Sequence, residues 1–246
     1  MNKILIYILT IIFLLSCDKG FNNNCFENQG EVVLYKRELN PFSKIFIRGV
    51  FDIYLEQDTS YYTIIEAPEN TIPYIETTID NNILNIYDNV NCKFSREYIR
   101  PKMTIHFVKI DYIKNKEACY IKTIDTILCN SILISATYQL GEMDLCINAN
   151  NISFIGSFIA FGNHKLSGIC NNLHIEAHNA LKIDALSLET FNASIIQNSI
   201  ADIKLNVSNK LEVSILNKGN ILIENWPDTK NISEKSGTGE IILMNN

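Results

Sequence analysis

NSILISA (130–136), NISFIGS (151–157), NLHIEAH (172–178), NASIIQN (192–198) and NKLEVSI (209–215) are five versions of one phrase. Each begins with asparagine and then alternates apolar with polar side chains. Alternation with period two puts successive side chains on opposite faces of a strand, so each phrase reads as a strand with one buried face. The asparagines fall 21, 21, 20 and 17 residues apart. A second short apolar alternation follows within each interval: Met143–Cys146, His164–Leu166, Leu186–Leu188, Ile203–Leu205 and Ile221–Ile223. A period near twenty made of strands and turns, with no helix in it, is the mark of a chain that winds in stacked rungs. Asparagine suits the corners of such a coil because it tolerates the left-handed conformation and bonds its own backbone. The pattern predicts an all-β fold, a right-handed parallel β-helix or β-solenoid, with irregular antiparallel strands at its N-terminal end. The competing architecture is an irregular antiparallel β-sandwich whose spacing is coincidental.

Upstream, the same strand chemistry continues without a clear period. Ile45–Ile47, Phe51–Glu56, Tyr62–Glu66, Ile83–Tyr87 and Met103–Phe107 are rich in Ile, Phe, Tyr and Thr. Gly49 and the cluster Asp58-Thr59-Ser60 break them, and Ala67–Ile75 has room for one helical turn.

The first sixteen residues have a different character. Met1-Asn2-Lys3 precedes twelve residues, Ile4–Leu15, with only Tyr7 and Thr10 carrying polar atoms. That run is short of the roughly 20 residues needed to span a bilayer as a helix, and it fits the core of a signal peptide. Leu14-Leu15-Ser16-Cys17 resembles the bacterial lipobox, which makes Cys17 the expected lipid attachment point and new N-terminus. The expected organisation is a lipoprotein signal peptide over 1–16, a lipidated tether over 17–30 and one domain over 31–246. Asp18 and Lys19 suit either retention at an inner membrane or export to the surface. The expected location is the cell envelope, at the outer membrane or cell surface.

Seven cysteines less Cys17 leave six in an exported chain, where disulfides persist. Cys25 lies in the polar tether and Cys92 in a polar loop, so a Cys25–Cys92 bridge is the expected pairing. Cys119, Cys129, Cys146 and Cys170 lie in apolar strand runs, where a thiol behaves as a small buried hydrophobe. No C-x-x-C pair is present to suggest a zinc ribbon or a redox site.

Charge excludes some partners. The formal net charge is -6, and Lys3 is the only charge in the first sixteen residues, leaving 20 basic against 27 acidic residues in the remainder. Nucleic acid needs a Lys/Arg-rich face and is not an expected partner. The composition likewise offers no basic patch for anionic lipid.

Candidate chemistry is sparse. His174, Glu176 and His178 point the same way on a strand, but they lack the helical H-E-x-x-H spacing of a catalytic zinc site. They read as a solvated polar row. His106 and His164 have no partner near in sequence. Gly237-Thr238-Gly239-Glu240 has no following helix to make it a phosphate cradle. Asp144, Asp184 and Asp202 fall at similar phases of successive rungs and could form the carboxylate row of a glycan-cleaving groove. Outward, solvated positions are the simpler reading. Phe154, Phe158 and Phe161 crowd one rung, as core or a rung stack.

Residues 37–57, RELNPFSKIFIRGVFDIYLEQ, resemble the opening of the family described as putative auto-transporter adhesin, head GIN domain, found in Bacteroidetes lipoproteins. The likeness rests on Arg37, Leu39, Phe42, Ile45, Gly49, Phe51, Asp52, Ile53 and Gln57. Glu66–Asn70, Ile75–Thr77, Leu84–Ile86, the segment from Asn91-Cys92 to Arg96, Gly219–Ile221 through Pro227, and Gly237–Gly239 continue it. The chain departs from the family by placing Asn where Gly-x-Gly corners are usual. The resemblance implies a β-helical surface domain and supplies no catalytic residues. The expected function is non-enzymatic: lipid-anchored binding or adhesion, with no cofactor and no metal, to a glycan or protein ligand on a flat sheet face. An envelope polysaccharide-active β-helix enzyme, or a structural or regulatory envelope module, is the alternative.

Overall fold

The computed structural model describes residues 28–90, 93, 98–137, 141–157 and 160–244. The signal segment, Cys17, Cys25, Cys92 and Phe158 lie outside them. The described chain is nearly all β, and its C-terminal part is a parallel β-solenoid of about six turns.

Sixteen strands follow in order: β1 (Val32–Glu38), β2 (Lys44–Arg48), β3 (Asp52–Gln57), β4 (Tyr62–Pro68), β5 (Ile75–Asp80), β6 (Ile83–Asp88), β7 (Lys102–Phe107) and β8 (Tyr112–Asn115). β9 (Tyr120–Thr123), β10 (Ile127–Ala136), β11 (Glu142–Gly156), β12 (Phe161–Ser199), β13 (Ile203–Ile215), β14 (Ile221–Ile223), β15 (Thr229–Lys235) and β16 (Ile241–Leu243) complete them. The long strands β11 to β13 bend round corners and so serve more than one face. One face runs β5-β6-β2-β8-β10 and continues through β11, β12 and β13 to β15. The opposite face runs β1-β4-β7-β3-β9-β11 and on through β12 and β13 to β14 and β16.

The core is the space these faces enclose. Ile134 lies opposite Phe154 and Phe154 opposite Ile175, while Ile195 lies opposite Val213. All five are buried. Each inward apolar residue therefore stacks on its equivalent one rung away, and burying each contributes about 1.5–3 kcal/mol relative to exposure. Parallel pairing supplies the backbone hydrogen bonds, which leaves the outward side chains free to vary.

The first rung in sequence is not the first in space. The β2–β3 rung has β6 and β7 on one side and β8 and β9 on the other. Antiparallel β5 covers β6, and antiparallel β4 and β1 cover β7. These strands give the irregular N-terminal end, and the expected helical turn is a 3-10 helix over Glu69–Tyr74.

Two local expectations are corrected. The asparagines of the repeat do not adopt positive φ; only Asn81, Asn82 and Asn179 do so among the described non-glycine residues. The repeat asparagines bond each other across rungs instead, as described below. The second strand of the third interval is centred on Ile183–Ala185, opposite Ile203–Leu205, rather than on Leu186–Leu188. Those last three residues bulge at a register shift, since Ala185 faces Leu205 and Glu189 faces the next residue, Asn206. The bulge accounts for the step from a spacing of twenty to one of seventeen. Cys119 and Cys170 are buried, whereas Cys129 and Cys146 are only partly so, and all four are free thiols.

Candidate functional site

An amide ladder runs along the solenoid beside its first face. Asn151 Nδ2 donates to Ser131 Oγ (3.1 Å), Asn172 to Asn151 Oδ1 (3.2 Å), Asn192 to Asn172 Oδ1 (3.0 Å) and Asn209 to Asn192 Oδ1 (2.8 Å). A second, shorter ladder joins Asn171 to Asn150 (2.8 Å) and Asn150 to Asn130 (2.6 Å). Each inner amide donates to one rung and accepts from the next, so every rung repeats the same uncharged polar group at the strand spacing of about 4.8 Å. Four of the five phrases marked the first ladder in the sequence by their opening asparagine; in the earliest, Ser131 takes that place and Asn130 belongs to the second ladder. Asn150 and Asn171 were missed because each immediately precedes a repeat asparagine, and because Asn130 stands level with Asn150, twenty residues on, rather than with Asn151.

Beside the ladder lie two depressions. One, of about 370 Å³, is lined by Asn151, Ser153, Asn172, His174, Asn192, Ser194, Lys210 and Glu212 among others. The other, of about 430 Å³, shares Asn151 and Ser153 and extends to Lys44, Asp111 and Tyr112. Together they form a shallow groove along the solenoid axis. Its outward row is read from the register: Lys44 beside Tyr112, Tyr112 beside Leu133, Leu133 beside Ser153, Ser153 beside His174, and Ser194 beside Glu212. From β8 to β13 this covers five strand steps, roughly 24 Å. His174 Nε2 lies 3.0 Å from Glu176 Oε1, and Lys210 lies 3.2 Å from Glu212. The groove thus offers amides, hydroxyls, an imidazole and one ion pair.

The carboxylate row on the opposite face is only partly assembled. Asp144 and Asp184 line one depression of about 410 Å³ with Tyr120, Glu142, Lys165 and Lys182. Asp144 stands between Lys122 and Lys165 in the register, and Lys204 pairs with Asp184 at 3.5 Å. Asp202 is elsewhere: its Oδ1 accepts the Asn220 N–H at 2.8 Å and holds a turn. The third carboxylate of the row is therefore committed to backbone, and lysines of adjoining rungs offset the other two.

The remaining candidates are placed as follows. His174, Glu176 and His178 face outward as a partly exposed row, with Asn198 3.3 Å from His178 Nδ1. Among the described residues no group of three or more His, Cys, Asp or Glu side chains converges as a metal site. His106 finds its partners on neighbouring strands: it stacks on Tyr62 (centroids 3.9 Å apart), and its Nδ1 lies 3.3 Å from Asp58 and 3.6 Å from Glu56. The Thr59 N–H, followed by the Tyr62 and Thr59 hydroxyls and the His106 ring, holds the Asp58 carboxyl below its usual range. His164 is enclosed in the core against Phe154 (centroids 5.0 Å), and burial lowers it to about 4. Phe161 is exposed, whereas Phe154 is core. Gly237 and Gly239 donate backbone N–H groups to Ile215 and Asn217 and stack a corner.

The structure also assembles a basic patch that composition did not foretell. Phe46 on β2 has Arg48, Lys114 and Lys116 at 5.7, 5.6 and 5.1 Å from its ring centroid. Arg48 also lies 5.7 Å from the ring of Tyr87 on β6. The cations come from residues some 70 positions apart, joined because β2 pairs with β8.

The family model described as putative auto-transporter adhesin, head GIN domain, matches residues 41–227. No curated protein matches the chain. Among solved structures, a putative adhesin from Bacteroides fragilis superposes with a TM-score of 0.79 at 19% identity, covering 87% of this chain and 97% of that one. A putative lipid binding protein from Parabacteroides distasonis does so at 0.67 and 16%, covering 88% and 98%. A putative adhesin from Parabacteroides merdae gives 0.59 and 17%, covering 88% and 97%. At these identities the likeness establishes the fold. Among the described residues no helix is long and apolar enough to cross a membrane.

Proposed function

The chain belongs to the family described as putative auto-transporter adhesin, head GIN domain, and from that premise we propose a lipid-anchored envelope protein that binds an extended glycan in its axial groove without chemical conversion. The observation that carries this reading is the amide ladder alongside the groove. A linear polar polymer laid along the axis meets an equivalent amide at each rung, and the rung spacing is close to the length of one sugar unit in an extended chain. Amides and hydroxyls both donate and accept, which suits the hydroxyl-rich edge of a neutral sugar. Many such weak contacts in a row give avidity, as adhesion requires. The naming of structural neighbours as adhesins supports this use of the fold.

The lysine-offset Asp144 and Asp184, with Asp202 committed to a turn, favour binding over hydrolysis. A polysaccharide-active enzyme remains the second reading, motivated by the depression that holds those two carboxylates. Glycan-array binding by residues 18–246, which include every described residue, separates the two. Retention of a linear neutral glycan, lost when Ser153→Trp fills the groove, supports the proposal. Failure to retain any glycan overturns it, and turnover of a retained glycan replaces it with the enzyme reading.

The anchor at Cys17 has its own test. The protein carrying Cys17 is expected to partition with membranes, and the Cys17→Ser variant is expected in the soluble fraction. A serine variant that stayed with the membrane would refute lipidation at that residue.

A further inference from the structure

We propose that the Phe46 patch docks the N-terminal end of the solenoid onto an anionic membrane surface. On a chain of net charge -6, Arg48, Lys114 and Lys116 surround one partly exposed aromatic ring. Among the described residues none of the three has a carboxylate within ion-pair distance. The acids that flank the patch are engaged elsewhere: Asp111 accepts the Ser43 hydroxyl at 2.7 Å, and Glu76 accepts Asn89 at 3.3 Å. Lys44, on the same strand as Phe46, adds a fourth cation, while Tyr87 and Tyr112 adjoin the patch on β6 and β8.

Folding has therefore gathered positive charge that an acidic chain has no structural need to gather. Three cations so close repel one another, and an external anion relieves that repulsion. A flat lipid surface fits better than a single small anion because Arg48, Lys114 and Lys116 spread across neighbouring strands of one sheet face. An aromatic ring among basic side chains is also the composition of interfacial anchors, whose rings sit at headgroup level.

Position supplies the second argument. The described chain begins beside the 3-10 helix, where Asn70 binds the carbonyls of Gln29 and Asn28. That helix leads into β5, the edge strand of the face that carries the patch, two strands from β2. An anchor upstream of Asn28 would hold this end of the solenoid near the bilayer. The inference gains from the lipid anchor proposed above, but its test omits the anchor, so the two fail separately.

The experiment is sedimentation of residues 18–246, which lack Cys17 and therefore the lipid, with vesicles of phosphatidylcholine alone or mixed with phosphatidylglycerol. The expected result is binding to the mixed vesicles only, weakening as salt is raised. Lys114→Glu with Lys116→Glu is expected to weaken partition at least roughly thirtyfold. Lys218→Glu with Lys235→Glu, which changes net charge equally at the far end of the solenoid, leaves it within about twofold on the same reasoning. Thermal melts of both pairs confirm folding. Equal loss from the two pairs, binding to phosphatidylcholine alone, or no binding to either vesicle overturns the proposal. If inorganic phosphate at low concentration released the protein, a small-anion site would replace the membrane surface.

Discussion

The side-chain amide of Asn192 donates to that of Asn172 at 3.0 Å, one turn of the solenoid away, and Asn172 passes the bond on to Asn151 at 3.2 Å. Asn172 is thus both acceptor and donor in the middle of a ladder. The ladder ties rung to rung outside the apolar core, at positions where backbone pairing alone would leave the corner underdetermined.

Replacing Asn172 by alanine removes two side-chain hydrogen bonds. Each contributes about 0.5–1.5 kcal/mol in water, and the exposed setting favours the lower end, so a loss of roughly 1–2 kcal/mol is expected. Asn172→Asp keeps the acceptor for Asn192 but turns the donor to Asn151 into a second carboxylate oxygen facing an amide oxygen. It should destabilise at least as much as alanine. Urea denaturation of both variants reads the difference, and an aspartate variant as stable as wild type would show that the ladder contributes nothing.

His164 makes stability depend on pH. Inside the core it is neutral, and burial lowers it to about 4 from the ordinary 6.5. The unfolded chain therefore binds this proton more readily than the folded one. The stability associated with His164 is full above about pH 6.5, declines as pH falls through that value, and levels off near pH 4, for a total of about 3 kcal/mol. His164→Leu retains an apolar filling opposite Met143 and should flatten the stability profile across this window. The check is the urea midpoint of each protein at several pH values; parallel profiles would contradict the assignment.

Gly49 is required by its turn. Its φ is +145°, and a Cβ there would lie 2.4 Å from Asp88 Cβ and 2.9 Å from the Asp88 backbone nitrogen. Backbone does not yield as a flexible side chain does, so Gly49→Ala combines strain with overpacking, on the order of 3 kcal/mol. The same turn receives the Cys119 thiol, which donates to the Gly49 carbonyl at 2.8 Å. A melting temperature within a degree of wild type would show the turn to be more tolerant than its geometry implies.

Thiol titration tests the tether. Cys119, Cys129, Cys146 and Cys170 are free, and burial pushes the Cys119 thiol up to about 12. Cys119 should therefore react only after unfolding. Denatured, unreduced protein carrying Cys17→Ser is expected to show four reactive thiols if Cys25 and Cys92 are bridged. Six reactive thiols would mean that they are not.

Much of the groove was legible because its elements are local. The repeat asparagines, Ser153, His174 and Ser194 all stand at fixed phases of a period near twenty, and alternation alone assigned them outward positions. Phase alone could not decide whether the carboxylate row assembles. Phase along a rung predicts which face a residue is near, but Asp202 sits where the strand has given way to a turn whose backbone needs an acceptor. The two buried histidines were recognised only as lone residues, because their neighbours belong to other strands: Phe154 for His164, and Tyr62, Glu56 and Asp58 for His106.

By itself the sequence determined that the chain forms strands, which side of each strand is apolar, that the later strands stack with a period near twenty, and where a lipid anchor is expected. All of these are short-range properties, set by side-chain alternation and by motif. Tertiary structure alone decided that β2 and β3 lie between two later rungs, that amides join across turns, and that Phe46 meets Lys114 and Lys116. Such arrangements depend on which strand edges find each other to satisfy backbone hydrogen bonds and close the core. That choice is made between residues some 20 to 70 positions apart, where no local pattern records it.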